Sequence, residues 1–113
     1  MFRAIKLFNF TWLVLVVLAA QTFAQGTRGT IRGTVTDPNG AVVTNANVQL
    51  IDVKKGTTVR TTTTNENGEY QFLEIEPSTY QITISAANFT ELKLTDFTVE
   101  PNRNLVLDAA LSV

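Results

Sequence analysis

Residues 29–40 read Gly29-Thr30-Ile31-Arg32-Gly33-Thr34-Val35-Thr36-Asp37-Pro38-Asn39-Gly40. In the first eight, Ile31, Gly33 and Val35 alternate with Thr30, Arg32, Thr34 and Thr36. Successive side chains of a strand point to opposite faces, so this stretch predicts a strand with one apolar and one wet side. Asp37-Pro38-Asn39-Gly40 then ends it, because Pro sets φ at about −65° and Gly accepts the positive φ of a turn.

The same grammar continues to the last residue. Turn signals recur at Thr44-Asn45, Lys54-Lys55-Gly56, Asn65-Glu66-Asn67-Gly68, Glu76-Pro77-Ser78, Ala87-Asn88 and Pro101-Asn102. Between them the pattern predicts seven strands, at 29–36, 46–53, 58–64, 69–73, 79–86, 91–99 and 104–111. Tyr80, Ile82, Ile84 and Ala86 form a second apolar row, and Leu105, Leu107, Ala109 and Leu111 a third. Threonine supplies 16 of the residues from 25 to 113, a β-branched bias that suits pleated surfaces. Sheets with one apolar face must cover each other. The expectation is an all-β, seven-stranded antiparallel β-sandwich.

The first segment reads differently. Arg3 and Lys6 precede an apolar run from Leu7 to Ala20, and Thr22 and Ala24 place small residues before Gln25. This order is that of a helical secretory signal peptide cut between Ala24 and Gln25. A membrane-spanning helix would need about 20 apolar residues, and Asn9 and Gln21 interrupt the run. The organisation expected is a signal peptide at 1–24, a flexible lead-in at 25–28 and one β-sandwich domain at 29–113. Cleavage removes two of the nine basic residues and none of the ten acids, leaving a net charge of −3.

Composition narrows the chemistry. The chain of 113 residues has no cysteine and no histidine. That excludes a Cys nucleophile, a His general base, a Ser-His-Asp triad, a His or Cys zinc site and any disulfide. A formal net charge of −1 gives no reason to expect nucleic acid as a partner. No cofactor is expected, and a non-catalytic module is.

Four stretches, in this order and spacing, carry a family resemblance: Gly29 to Val43, Ala46-Asn47-Val48-Gln49-Leu50, Thr63 to Phe72, and Ile75 to Ile84. They resemble the carboxypeptidase regulatory-like domain family, over about 29–111. The resemblance implies a prealbumin-like sandwich, also grouped with carbohydrate-binding-like folds. It implies an accessory role too, since the zinc peptidase domain of those enzymes is a separate fold. Domains with this opening commonly form the N-terminal extension of TonB-dependent outer-membrane receptors, ahead of a plug and a barrel. The expected setting is therefore the periplasm or the outer membrane, reached through a downstream region, with protein partners at the envelope. The alternative is a standalone secreted module that binds carbohydrate. Two positions depart from the family pattern: Ser78 and Asn88 stand where Gly is usual. Asn tolerates positive φ better than Ser, so strain or a different turn type is expected at Ser78.

Candidate sites are few. Asp37, Asn39, Asn65, Glu66, Asn67 and Glu69 could offer oxygens to calcium, but their Gly- and Pro-marked spacing reads first as turn chemistry. Tyr70, Phe72 and Tyr80 fall within alternating strands and are expected in the core. Phe89 and Phe97 fall near strand edges; packing at the rim of the core is their first reading, and they are the candidate ligand contacts as the second. Thr61 to Thr64 read as an exposed polar strand that discourages unwanted pairing. Glu74 and Glu76 are the remaining acid pair, with no pocket to argue for them. Asn88-Phe89-Thr90 has the form of a glycosylation sequon, expected to be accidental in a bacterial chain. The Lys–Asn isopeptide link of related pilin sandwiches is not expected, because the first strand carries Arg32, and Lys54 and Lys55 lie in a turn.

Overall fold

The computed structural model describes residues 27–113, and the expected signal segment with its Ala24–Gln25 junction lies outside them. Eight strands follow in order: β1 Gly29–Thr36, β2 Asn47–Asp52, β3 Thr57–Thr63, β4 Glu69–Ile75, β5 Ser78–Ser85, β6 Leu92–Val99, β7 Asn104–Val106 and β8 Ala109–Ala110. One sheet has the order β4-β1-β7, with β8 also pairing β1; the other runs β3-β2-β5-β6. The two faces meet as a sandwich. Ile31 and Val35 of β1 and Tyr70, Phe72 and Ile75 of β4 are buried with Val48 and Leu50 of β2 and Tyr80, Ile82 and Ile84 of β5. Without a disulfide, this apolar layer carries the fold, each fully buried side chain contributing about 1.5–3 kcal/mol.

The expected strand at 104–111 differs in two ways. It runs parallel to β1, pairing Thr30 with Asn104, Ile31 with Leu105 and Arg32 with Val106, then Val35 with Ala109 and Thr36 with Ala110. It is also broken at Leu107-Asp108, although the register is the same on both sides of the break. The apolar alternation there is insensitive to strand direction, which is why pattern alone did not show it.

Three edge strands are bulged. β4 inserts a residue between Phe72 and Ile75, β6 between Leu94 and Phe97, and β3 at Val59. Glu74 (φ 53°) and Asp96 (φ 54°) take the left-handed conformation at the first two. Bulges and charges on edges hinder sheet-to-sheet pairing between molecules. Asn88 has φ 69°, as an Asn in a Gly position permits. Ser78 corrects the expectation of strain: it is not among the positive-φ residues but starts β5 in extended form, paired with Val99.

Candidate functional site

β1 is the inner strand of its sheet, so its outward residues have neighbours on both sides. Arg32 pairs with Gln71 of β4 and Val106 of β7, making one row across the sheet. Thr34 pairs with Glu69 and donates its backbone N–H to Asp108 Oδ1 at 2.9 Å, making the next row. These two rows line an open groove of about 600 Å³. Thr62, Thr63 and Asn65, from the end of β3 and the loop after it, form another wall.

The break in the C-terminal strand shapes this groove. In a regular parallel ladder the Thr34 N–H would donate to the Leu107 carbonyl. Here the Asp108 carboxylate takes that N–H, and the Leu107 carbonyl instead accepts the Tyr70 hydroxyl at 2.5 Å. The diverted carbonyl lies over Gly33, where any Cβ would overlap it. Leu107 N–H still donates to the Arg32 carbonyl at 2.8 Å, so the ladder runs up to the break, and pairing resumes at Val35 and Ala109. Burial, with the Asp108 carboxylate nearby, pushes the Tyr70 hydroxyl well above the ordinary tyrosine range.

A smaller cleft of about 190 Å³ lies at the other end of the sandwich, between β3 and β4. Glu74 and Glu76, the acid pair of the sequence, meet Arg28 there at 4.0 and 3.8 Å. All three are well exposed, so these pairs contribute little stability. Asp52 is buried at the same end and braces the β2–β3 turn, its Oδ1 accepting the Lys54 and Lys55 N–H groups. Ser78 Oγ donates to its other oxygen at 3.4 Å. The Tyr80 hydroxyl donates to the Glu76 carbonyl; burial, then Asp52 and Glu76, raise its pKa, against a lowering by Arg60.

The two loops weighed for calcium are built alike. Asp37 Oδ1 accepts the N–H groups of Asn39 and Ala41, each at 2.9 Å. Asn65 Oδ1 accepts those of Asn67 and Glu69 at 2.9 and 3.0 Å. Gly40 and Gly68 follow with positive φ. These side chains close turns, the reading their spacing favoured. Among the described residues, no three His, Cys, Asp or Glu side chains gather as a metal site.

Phe89 and Phe97 are half-buried and packed against the core. Phe89 sits in the turn before β6, and Phe97 lies late in β6, its ring 6.4 Å from that of Tyr80. With about 3.3 Å per strand residue between them, the two rings do not make one platform. Tyr70, Phe72 and Tyr80 are in the core. Thr61 and Thr63 are exposed on β3, but Thr64 is buried, accepting the Ala46 N–H and donating to the Val43 carbonyl. The groove residues Arg32, Gln71 and Asp108 were not singled out by sequence reasoning. Gly33, alone inside a strand, was the available signal, since such a glycine marks a bulge or a close backbone approach.

No curated protein matches the chain significantly. Among solved structures, it is similar to wild-type catechol 1,2-dioxygenase of Acinetobacter radioresistens, with TM-score 0.59 and 15% identity over 79% of this chain and 53% of that one. It is similar to a "putative carbohydrate binding protein" of Bacteroides uniformis, with TM-score 0.61 and 23% identity over 76% of this chain and 42% of that one. The Bacillus anthracis TIE protein gives TM-score 0.61 and 13% identity over 76% of this chain and 16% of that one. The chain thus spans about half or less of each of these structures, and the likeness is one of fold. The sequence profile of the carboxypeptidase regulatory-like domain matches residues 30–112. With that match running from β1 past β8, the chain belongs to the carboxypeptidase regulatory-like domain family.

Proposed function

We propose that the chain is an exported, non-catalytic β-sandwich module that makes protein contacts at the cell envelope, as the N-terminal domain of a TonB-dependent outer-membrane receptor. The observation that carries the non-catalytic part is the work of the buried polar side chains. Tyr70, Tyr80, Thr64 and Asp52 bond backbone groups of the scaffold, and Thr83 accepts the side-chain amide of Gln81 two residues before it. Catalytic groups, by contrast, are aimed at a site where substrate can reach them. The family supports the same reading, being one of regulatory, non-catalytic domains. Export is supported by Arg3, Lys6, the apolar run and the small residues ending at Ala24. The receptor setting is supported by the Gly29-to-Val35 opening.

The test is to read the gene past the codon for Val113. An open frame continuing into a plug and many alternating strands is the expected result; a stop codon there overturns the receptor setting. The second reading, a secreted carbohydrate-binding-like module, is favoured by the Bacteroides uniformis neighbour and would then stand.

A further inference from the structure

We infer that the groove over β1 is a binding site for neutral saccharide, with Arg32, Gln71, Thr34, Glu69 and Asp108 as its polar contacts. It is separate from Phe89 and Phe97, and the inference holds whether the chain is a receptor's first domain or a free module. The groove volume, about 600 Å³, falls within the range of small-ligand sites.

The donor and acceptor pattern selects the ligand class. Arg32 only donates, Glu69 and Asp108 carboxylates only accept, Gln71, Thr34, Thr62 and Thr63 do both, and Asn65, whose Oδ1 is taken up by its own turn, donates. An anion drawn to Arg32 would face two carboxylates, and a cation drawn to these would face Arg32. A sugar hydroxyl donates one hydrogen bond and accepts others, so adjacent hydroxyls can satisfy this mixture without net charge. Val106, 53% exposed in the same row as Arg32, offers an apolar strip for the C–H face of a ring.

The polar groups are also held ready. Asp108 is fixed by the Thr34 N–H, an anchor that exists only because the Leu107 carbonyl is diverted to Tyr70. Arg32 is exposed and has no ion pair or side-chain hydrogen bond among the described residues. Its guanidinium is left to solvent or ligand. A strand broken without a register shift, at the point where it lends a carboxylate to a groove, is the kind of irregularity that re-aims a side chain at a site.

The experiment is a titration of the isotope-labelled full chain with neutral malto-, cello-, xylo- and manno-oligosaccharides, followed by amide chemical shifts. Polygalacturonate serves as the acidic comparison. The expected result is saturable shifts with at least one neutral series, centred on Arg32, Thr34, Gln71 and Asp108, with a dissociation constant of about 1 mM or tighter. Arg32→Ala should weaken binding about tenfold without changing the melting temperature. Asp108→Asn, which keeps an acceptor for Thr34, should weaken it while leaving the fold intact. Three outcomes overturn the inference: no saturable shift with any neutral series, shifts centred on Phe89 and Phe97, or binding of polygalacturonate alone.

Discussion

A Cβ at Gly33 would overlap the Leu107 carbonyl oxygen and come within 2.8 Å of the Tyr70 hydroxyl. A charge at Gly33 would enter an apolar face without a partner, and the diverted carbonyl adds a steric reason that applies to any side chain. Gly33→Ala should therefore destabilise by about 3 kcal/mol, read as a shift in denaturant midpoint at unchanged slope. An unaltered midpoint would show that Leu107 can move aside freely. Tyr70→Phe removes the partner of the Leu107 carbonyl and should cost about 1–3 kcal/mol. Tyr70 also sets a pH response. Its folded pKa lies above the unfolded value of 10.0, as does that of Tyr80. The protonated hydroxyls therefore stabilise the fold fully below about pH 10, and this contribution is lost as the pH rises further. Melting temperature should fall through that alkaline range, and Tyr70→Phe should flatten the fall; parallel curves for the two proteins would contradict the assignment.

At the level of elements, the loop from Val43 to Ala46 is tied to the end of β3 by Thr64. Thr64→Val keeps the shape but leaves the buried Ala46 N–H and Val43 carbonyl without this partner. Thermal or chemical unfolding should show a loss of about 2 kcal/mol, larger than for Thr61→Val or Thr63→Val on the exposed part of β3. The β4 bulge makes the opposite prediction. Glu74 is held at φ 53°, a conformation unfavourable for a side-chain-bearing residue by about 1–2 kcal/mol. Its ion pair with Arg28 is long and exposed. Glu74→Gly should raise the melting temperature, and a lowered one would mean that the Arg28 contact outweighs the backbone strain.

For the whole molecule, the parallel pairing of β1 with β7 and β8 puts the start of β1 and the end of the last strand at opposite poles of the described domain. Gly29 packs beside Glu100 and Arg103, whereas Leu111 bonds back to Thr36 at the far end of β1. β1 runs from Gly29 to Thr36, so the two poles stand about 23 Å apart along it. In the proposed setting, a downstream domain would attach at the Thr36 pole, leaving the pole with Arg28, Glu74 and Glu76 facing away. Export is checked at the same scale: chain recovered from the envelope fraction of an expressing cell should begin at Gln25 by intact mass. Full-length chain retaining Met1 in the cytoplasm would contradict it.

The all-β class, the positions of most strands and the burial of Tyr70, Phe72 and Tyr80 were legible in the sequence. Those follow from period-two alternation and turn residues, which are local properties. The sequence also pointed to the turn role of Asp37 and Asn65, because an Asn or Asp bonding the backbone two residues on is local too. That residues 104–110 run parallel to β1 is a property of the assembled sheet, since alternation reads the same in either direction. The groove follows from that choice: Arg32, Gln71 and Asp108 lie far apart in the chain and become neighbours only when β4 and the broken strand flank β1. Gly33 joins the two levels. Its identity was visible in the sequence, but its reason, a carbonyl diverted across it from Leu107, depends on a contact 74 residues away.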